Sequence, residues 1–206
     1  NAYAVHDLAD NPALLDSLRN RCESHGTLDS VWQFGSTSKI TFAGAGVAFV
    51  ASSSDNLTEL QKLLGVMIIG FDKVNQLRHA RMFPNRETLM SHMTKHAELI
   101  RPKFAAVLQA LDNELAEYGN WTQASGGYFI SFNTEPELAS EVVRLAAEAG
   151  VKLTPAGATF PYGKDPEDCN IRIAPTLPPL AEVVKAMEVF VNCVKLATVR
   201  KELALK

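Results

Sequence analysis

Cysteine is scarce in this sequence: Cys22, Cys169 and Cys193 are its three, and no two are spaced as C-x-x-C. That excludes a disulfide-stapled scaffold and a thiolate zinc ribbon, and it suits the reducing conditions of the cytoplasm. A basic excess is also lacking. Lys and Arg number 20 against 23 Asp and Glu, a formal net charge of −3. A chain so balanced has no means of gripping a phosphate backbone by counterion release, which argues against nucleic acid as a partner. No apolar run approaches the roughly 18 residues that a membrane span needs. Neither a repeat nor a low-complexity tract occurs, and no secretory leader opens the chain. It starts at Asn1 without a methionine and reads as a processed or truncated piece.

What is present is the composition of a folded protein. Hydrophobic residues make up 47% and charged residues 21% of 206 residues, enough for one large domain or one and a half ordinary ones. Val31–Phe34 and Gly46–Val50 read as short buried strands around a loop of small residues and hydroxyls. Asp10-Asn11-Pro12 introduces a capped helix over Ala13–Cys22, and Ser54-Asp55 another through Leu64, closed by Gly65. Apolar spacing predicts a long helix from Glu87 to Tyr118, which Pro102 should kink or divide. Beyond it, strands are expected at Tyr128–Phe132, Val151–Thr154 and Cys169–Ala174. Helices are expected at Glu135–Gly150 and Leu180–Lys206. Strands interspersed with helices give an α/β or α+β fold.

Three constellations can carry chemistry. Ser36-Thr37-Ser38-Lys39 sets two hydroxyls beside a lysine in a small-residue loop, directly after a strand. Backbone and hydroxyl donors in such a loop can hold an anion. A lysine kept there in apolar surroundings has its ammonium form disfavoured and can attack a carbonyl, although a plain surface lysine explains the tetrapeptide equally. In Asn170-Ile171-Arg172-Ile173, strand alternation turns Arg172 away from the two isoleucines. There it either offers its planar fork to a carboxylate or is an ordinary exposed arginine. Gly126-Gly127 before Tyr128-Phe129 marks a tight turn or a close approach of backbones. His92 and His96 share a helix face, but no Glu follows the first and no third ligand is evident. The pair therefore reads as a solvated face, with no metal assigned. His6 reads as a structural histidine, and Gly44-Ala45-Gly46 is too short for a dinucleotide fingerprint.

Taken in order, these segments resemble the C-terminal half of class I/II, fold-type I pyridoxal-phosphate (PLP) aminotransferases. Phe34–Gly46 is similar to the family's lysine motif, with Gly126–Phe129 and Ile171–Ile173 at family-like separations downstream. The runs Gly70–His79 and Thr154–Gly163 are similar to the type Ic aspartate aminotransferase subgroup. The resemblance implies an α/β fold: the C-terminal portion of a PLP-binding large domain over 1–83, a linking helix over 84–118, and a small α+β domain over 119–206. It implies that Lys39 is the catalytic residue. It would join the cofactor covalently and, once displaced by substrate, move the proton between the substrate Cα and the cofactor. Ser36 and Ser38 would donate to the phosphate, Tyr3 would bond the cofactor's ring oxygen, and Arg172 would clamp the substrate α-carboxylate. The implied activity is amino transfer between an aspartate-like amino acid and a 2-oxo acid in a cytoplasmic homodimer. By weaker analogy, Gly70-Phe71-Asp72 would line the neighbouring subunit's site.

Two departures stand out. The family's arginine about eight residues after the lysine, which pairs with the phosphate, has no counterpart: Gly46-Val47-Ala48 carries no cation. The aspartate expected three residues before the tyrosine would precede Asn1. The resemblance thus implies a chain that lacks its N-terminal half, a piece inactive alone that a partner fragment would complete. The alternatives from the same fold are a PLP- or effector-binding domain of a transcription regulator, and another PLP-dependent lyase.

Overall fold

The computed structural model describes residues 2–10 and 16–204. They form two compact units, one of residues 2–5 and 16–95, the other of residues 6–10 and 96–204.

In the first unit, helix α1 (Leu18–Ser24) begins where the Ser17 hydroxyl accepts the Asn20 N–H. The proline-led start expected for it lies outside the described residues. Strands β1 (Gln33–Ser36) and β2 (Ala48–Ala51) form a two-stranded antiparallel sheet in which Phe34 faces Val50 and Ser36 faces Ala48. These strands sit where the apolar runs predict them, but they are not buried. Phe34 is 74% exposed and Phe49 59% exposed. A two-stranded ribbon has two open faces, and apolar side chains along it stay exposed unless another layer covers them. Helix α2 (Ser54–Met67), capped by Ser53, continues through Gly65 to Met67. One glycine costs a helix interior only about 1 kcal/mol. Helix α3 (Lys73–Met82), capped by Asp72, has no counterpart among the predicted elements.

The long helix α4 (Arg86–Glu114) contains the boundary between the units, and Pro102 does not divide it. Pro102 and Glu98 both lie on the exposed face, so the carbonyl that loses its N–H partner can turn to water. Its second-unit portion buries Ala97, Ile100, Phe104, Val107 and Leu111 at alternating steps of three and four.

The second unit packs this stripe with a three-stranded antiparallel sheet of order β3–β4–β5, made of Gly119–Trp121, Ile130–Thr134 and Asn170–Ile173. Period-two alternation sends Ile130, Phe132, Ile171 and Ile173 inward. Helices α5 (Ala139–Glu148) and α6 (Leu180–Ala204) add Val142, Ala146, Phe190 and Val194 to the same core. Phe132 is fully buried, stacked on Trp121 at 6.0 Å and edge-on to Phe190 at 5.4 Å. Gly150 follows α5 at φ +88°, as the predicted glycine stop requires. Residues 151–154, expected as a strand, pair with no ladder; the Val151 N–H instead bonds the Ala146 carbonyl at the end of α5.

Candidate functional site

The first unit builds its site on the connection between β1 and β2. Thr37 N–H donates to the Val47 carbonyl at 2.9 Å, closing the base of a loop that begins where the strand ends at Ser36. Within it, the Ile40 and Thr41 N–H groups both return to the Thr37 carbonyl at 2.9 Å, so Lys39 sits in a single tight turn. The Ser36 and Ser38 hydroxyls lie 2.6 Å apart, and the Ser38 N–H donates to Ser36 Oγ at 3.1 Å. Gly46 on the returning limb has no room for a side chain: a Cβ there would stand 2.7 Å from Ser38 Oγ and 2.9 Å from its N. Both serines and Lys39 are exposed. The apolar enclosure of Lys39 expected from the sequence is therefore absent, because the flanking strands that would supply it are themselves uncovered.

The loop is tied down from two helices. On α3, Asn75 Nδ2 donates to the Ala45 carbonyl at 2.9 Å, and His79 Nε2 lies 2.8 Å from Thr41 Oγ1. On α4, His92 Nε2 lies 2.8 Å from the Ile40 carbonyl, and its ring tilts against Phe83 at 5.1 Å. Arg78 stands over the Phe42 ring at 5.4 Å, bringing a guanidinium to a loop that carries no cation at 46–48. Sequence reasoning passed over all five contacts. His92 is not on a solvated face, and neither is His96, whose ring lies 6.3 Å from that of His6. No cluster of three or more metal-ligating side chains occurs among the described residues. Tyr3 is half-buried, in a turn of the first unit.

The second unit positions Arg172 on β5 opposite Ser131, on the face away from the buried Ile171 and Ile173. Its guanidinium carbon lies 4.6 Å from the Phe129 ring centre, and Nε donates to Thr154 Oγ1 at 3.4 Å. Held by its face and by Nε, the planar fork can present its terminal N–H pair to a carboxylate bidentately. Arg172 and Thr154 line a groove of about 680 Å³, with Lys152, Pro175, Met187 and Phe190 among its other walls. Gly126 and Gly127 serve a close approach: Gly127 N–H donates to the His6 carbonyl at 2.8 Å, and a Cβ on Gly126 would meet that oxygen at 2.7 Å. His6 itself is buried, edge-on to Tyr128 at 4.9 Å. The thiolate form of Cys169 is disfavoured. Burial pushes its thiol up, and the negative charges of Asp165 and Glu167 add to the shift.

The family profile described as aspartate amino-transferase matches residues 1–206. This chain belongs to that family. It is 48% identical over 200 residues to an aspartate aminotransferase of Corynebacterium glutamicum, covering 96% of this chain and 46% of that protein. A solved aspartate transaminase structure from the same species superposes with a TM-score of 0.93 at 45% identity, covering 98% of this chain and 48% of the other. At 23% identity, an α-aminoadipate aminotransferase of Thermus thermophilus shares the fold alone. Its TM-score is 0.79, over 97% of this chain and 50% of that one, and it was solved with N-(5′-phosphopyridoxyl)-L-leucine. The chain spans about half the length of the relatives it matches. Its fold class is accordingly the α/β arrangement of the C-terminal part of an aminotransferase. The β1–β2 loop suits a phosphate: it presents two adjacent exposed hydroxyls and a glycine that leaves the limbs in close approach.

Proposed function

We propose that this chain supplies the lysine-bearing and carboxylate-binding half of a pyridoxal-phosphate-dependent aminotransferase. The enzyme would exchange an amino group between an aspartate-like amino acid and a 2-oxo acid in a ping-pong cycle. The observation that carries the reading is the turn of residues 36–39, where Ser36 and Ser38 place hydroxyls 2.6 Å apart and Lys39 follows directly. Pyridoxal phosphate, when bound, supplies the electron sink that makes the substrate Cα–H acidic. The residues of this chain do the rest. Ser36 and Ser38 donate to the phosphate, Tyr3 donates its phenol to the ring oxygen, and Lys39 holds the cofactor and carries the proton on Nζ. Arg172 orients the substrate through its carboxylate. In this reading residues 1–83 are the C-terminal portion of the cofactor-binding large domain, 84–118 the linking helix, and 119–206 the small domain.

The working unit is a homodimer that also contains the N-terminal half of the same protein. The exposed apolar side chains of Val66, Met67, Ile69, Phe71 and Val74, close together in sequence, support this reading, since apolar surface exposed in such density suits a protein interface. A cytoplasmic location agrees with three free cysteines, and no described helix is long and apolar enough to cross a membrane. The decisive experiment is borohydride reduction of the full-length protein loaded with pyridoxal phosphate, followed by peptide mapping. The label is expected on Lys39, and the Lys39→Ala protein should lose the visible cofactor absorbance. Label at another lysine, with absorbance kept in Lys39→Ala, would overturn the assignment.

A further inference from the structure

We propose that His79 and His92 are positioning residues for Lys39: together they fix the turn that carries it, by bonding the two residues that follow it in the chain. The inference rests on reading Lys39 as the cofactor lysine. Neither histidine belongs to the cofactor or substrate machinery described above, and each comes from a different helix.

Their partners dictate their proton positions. His92 Nε2 lies 2.8 Å from the Ile40 carbonyl, which can only accept, so Nε2 carries the proton. His79 Nδ1 lies 2.9 Å from the Asn75 carbonyl and must donate for the same reason. In the neutral ring His79 Nε2 is then an acceptor, and the Thr41 hydroxyl 2.8 Å away donates to it. Thr41 Oγ1 also faces two acceptors on Thr37, the carbonyl at 3.1 Å and Oγ1 at 3.2 Å, and Thr37 Oγ1 accepts the Val47 N–H at 2.9 Å. These bonds form one connected polar network. It runs from the returning limb of the loop, through the two threonines that bracket Ser38, Lys39 and Ile40, to helix α3.

The geometry favours a positioning role over ordinary packing. Helix α3 buries no side chain, and no residue of the loop from 37 to 47 is fully buried, so no closed apolar core holds either one. What holds them is a small set of directional bonds: Asn75 to Ala45, His79 to Thr41 and His92 to Ile40. Directional bonds fix the orientation of a backbone turn in a way that apolar contact does not. The direction in which Lys39 leaves that turn decides whether its amine reaches the cofactor's carbonyl carbon at a reactive angle.

The test uses the full-length protein with His79→Ala, His92→Ala, His79→Gln and His92→Gln, glutamine being able to place an amide where the imidazole Nε2 stood. Cofactor-free protein is mixed with pyridoxal phosphate below saturation and quenched with borohydride over time, and label on the Lys39 peptide is quantified by mass. Each alanine variant is expected to label Lys39 about tenfold more slowly, and each glutamine variant to recover to within about threefold of the parent. In the cofactor-free alanine variants, hydrogen exchange should quicken over residues 37–47 and stay unchanged over 96–204. Unchanged labelling in both alanine variants overturns the positioning role while leaving the cofactor reading intact. Protection lost evenly along the chain in alanine and glutamine variants alike also overturns it. A parent protein that takes no label at Lys39 overturns the cofactor reading, and this inference with it.

Discussion

The two units use their apolar residues in opposite ways. From residue 96 onward, aliphatic and aromatic side chains of α4, α5, α6 and the three-stranded sheet meet in one continuous core, with Leu8 joining from the short N-terminal segment. In residues 16–95, helices α1, α2 and α3 bury no side chain, and Phe34, Phe49, Val66 and Ile69 stand in solvent. Apolar residues are somewhat scarcer in residues 16–95 than in 96–204 but plentiful in both, so composition alone does not explain the contrast. The difference lies in who supplies the second layer. The second unit folds its own helices over its own sheet, while the first has a two-stranded ribbon without such a cover. The candidate lysine lies on the uncovered side of this contrast. Under the proposed function, leaving this loop unsealed by its own chain gives a cofactor access, and polar ties from neighbouring helices fix its shape.

The contrast is sharpest between Phe132, fully buried in the second unit, and Phe34, exposed in the first, and the largest expected effect falls on the buried one. Phe132→Ala should destabilise the second unit by about 3–5 kcal/mol, read from urea denaturation, because its cavity opens between Trp121 and Phe190. A loss below about 1 kcal/mol would mean that this core is far looser than its burial indicates. Next in size is Asp165, whose carboxylate binds three backbone N–H groups, those of Glu167, Cys169 and Asn170. Burial works to raise its pKa, yet these bonds prevail and hold it below the ordinary value of 3.8. A lowered carboxylate contributes stability that is fully present above the ordinary value and lost as pH falls through the lowered one. Asp165→Asn should therefore cost about 1–2 kcal/mol at neutral pH. The gap in Tm between parent and variant should narrow steadily from pH 5 to pH 2. A constant gap would remove the charge from the explanation.

Much of the second unit was legible in its sequence. Arg172 between two isoleucines on a strand can face only one way if the isoleucines are buried, and Gly126-Gly127 announced the backbone approach that the His6 carbonyl makes. Such features are local, set by period or by the absence of a Cβ. The first unit was legible in position and illegible in environment. Apolar runs at 31–34 and 46–50 marked strands, but a run states that cover is needed and not who provides it. Helix α3, Lys73–Met82, is mostly polar, and its few large apolar residues, Val74, Leu77 and Met82, are exposed and form no buried stripe, so periodicity gave no sign of it. Residues 151–154 have strand chemistry without a strand to pair with, and pairing is a property of two segments. His92 was read as part of a solvated face and His79 only as the end of a family-like run, because their partners, Ile40 and Thr41, lie 52 and 38 residues away in sequence. The serine–lysine motif itself was legible, while the groups that hold its turn were not.

The smallest effect on stability should come from the exposed phenylalanine, and for that reason it is the cleanest probe of the first unit. Phe34 pairs across the ribbon with Val50 and has most of its ring in water, so Phe34→Ser removes little buried area. Its unfolding free energy should change by no more than about 0.5 kcal/mol, against the several lost at Phe132. Association should respond quite differently. If the apolar face of this unit is covered by other protein surface in the working enzyme, a serine at 34 or at 69 removes an apolar contact from that interface. The full-length variants should then sediment with a larger monomer fraction than the parent at equal concentration. Unaltered sedimentation for both substitutions, with stability also unchanged, would mean that neither side chain is covered in the assembly. The exposed face of this unit would then have to be explained by something other than a partner.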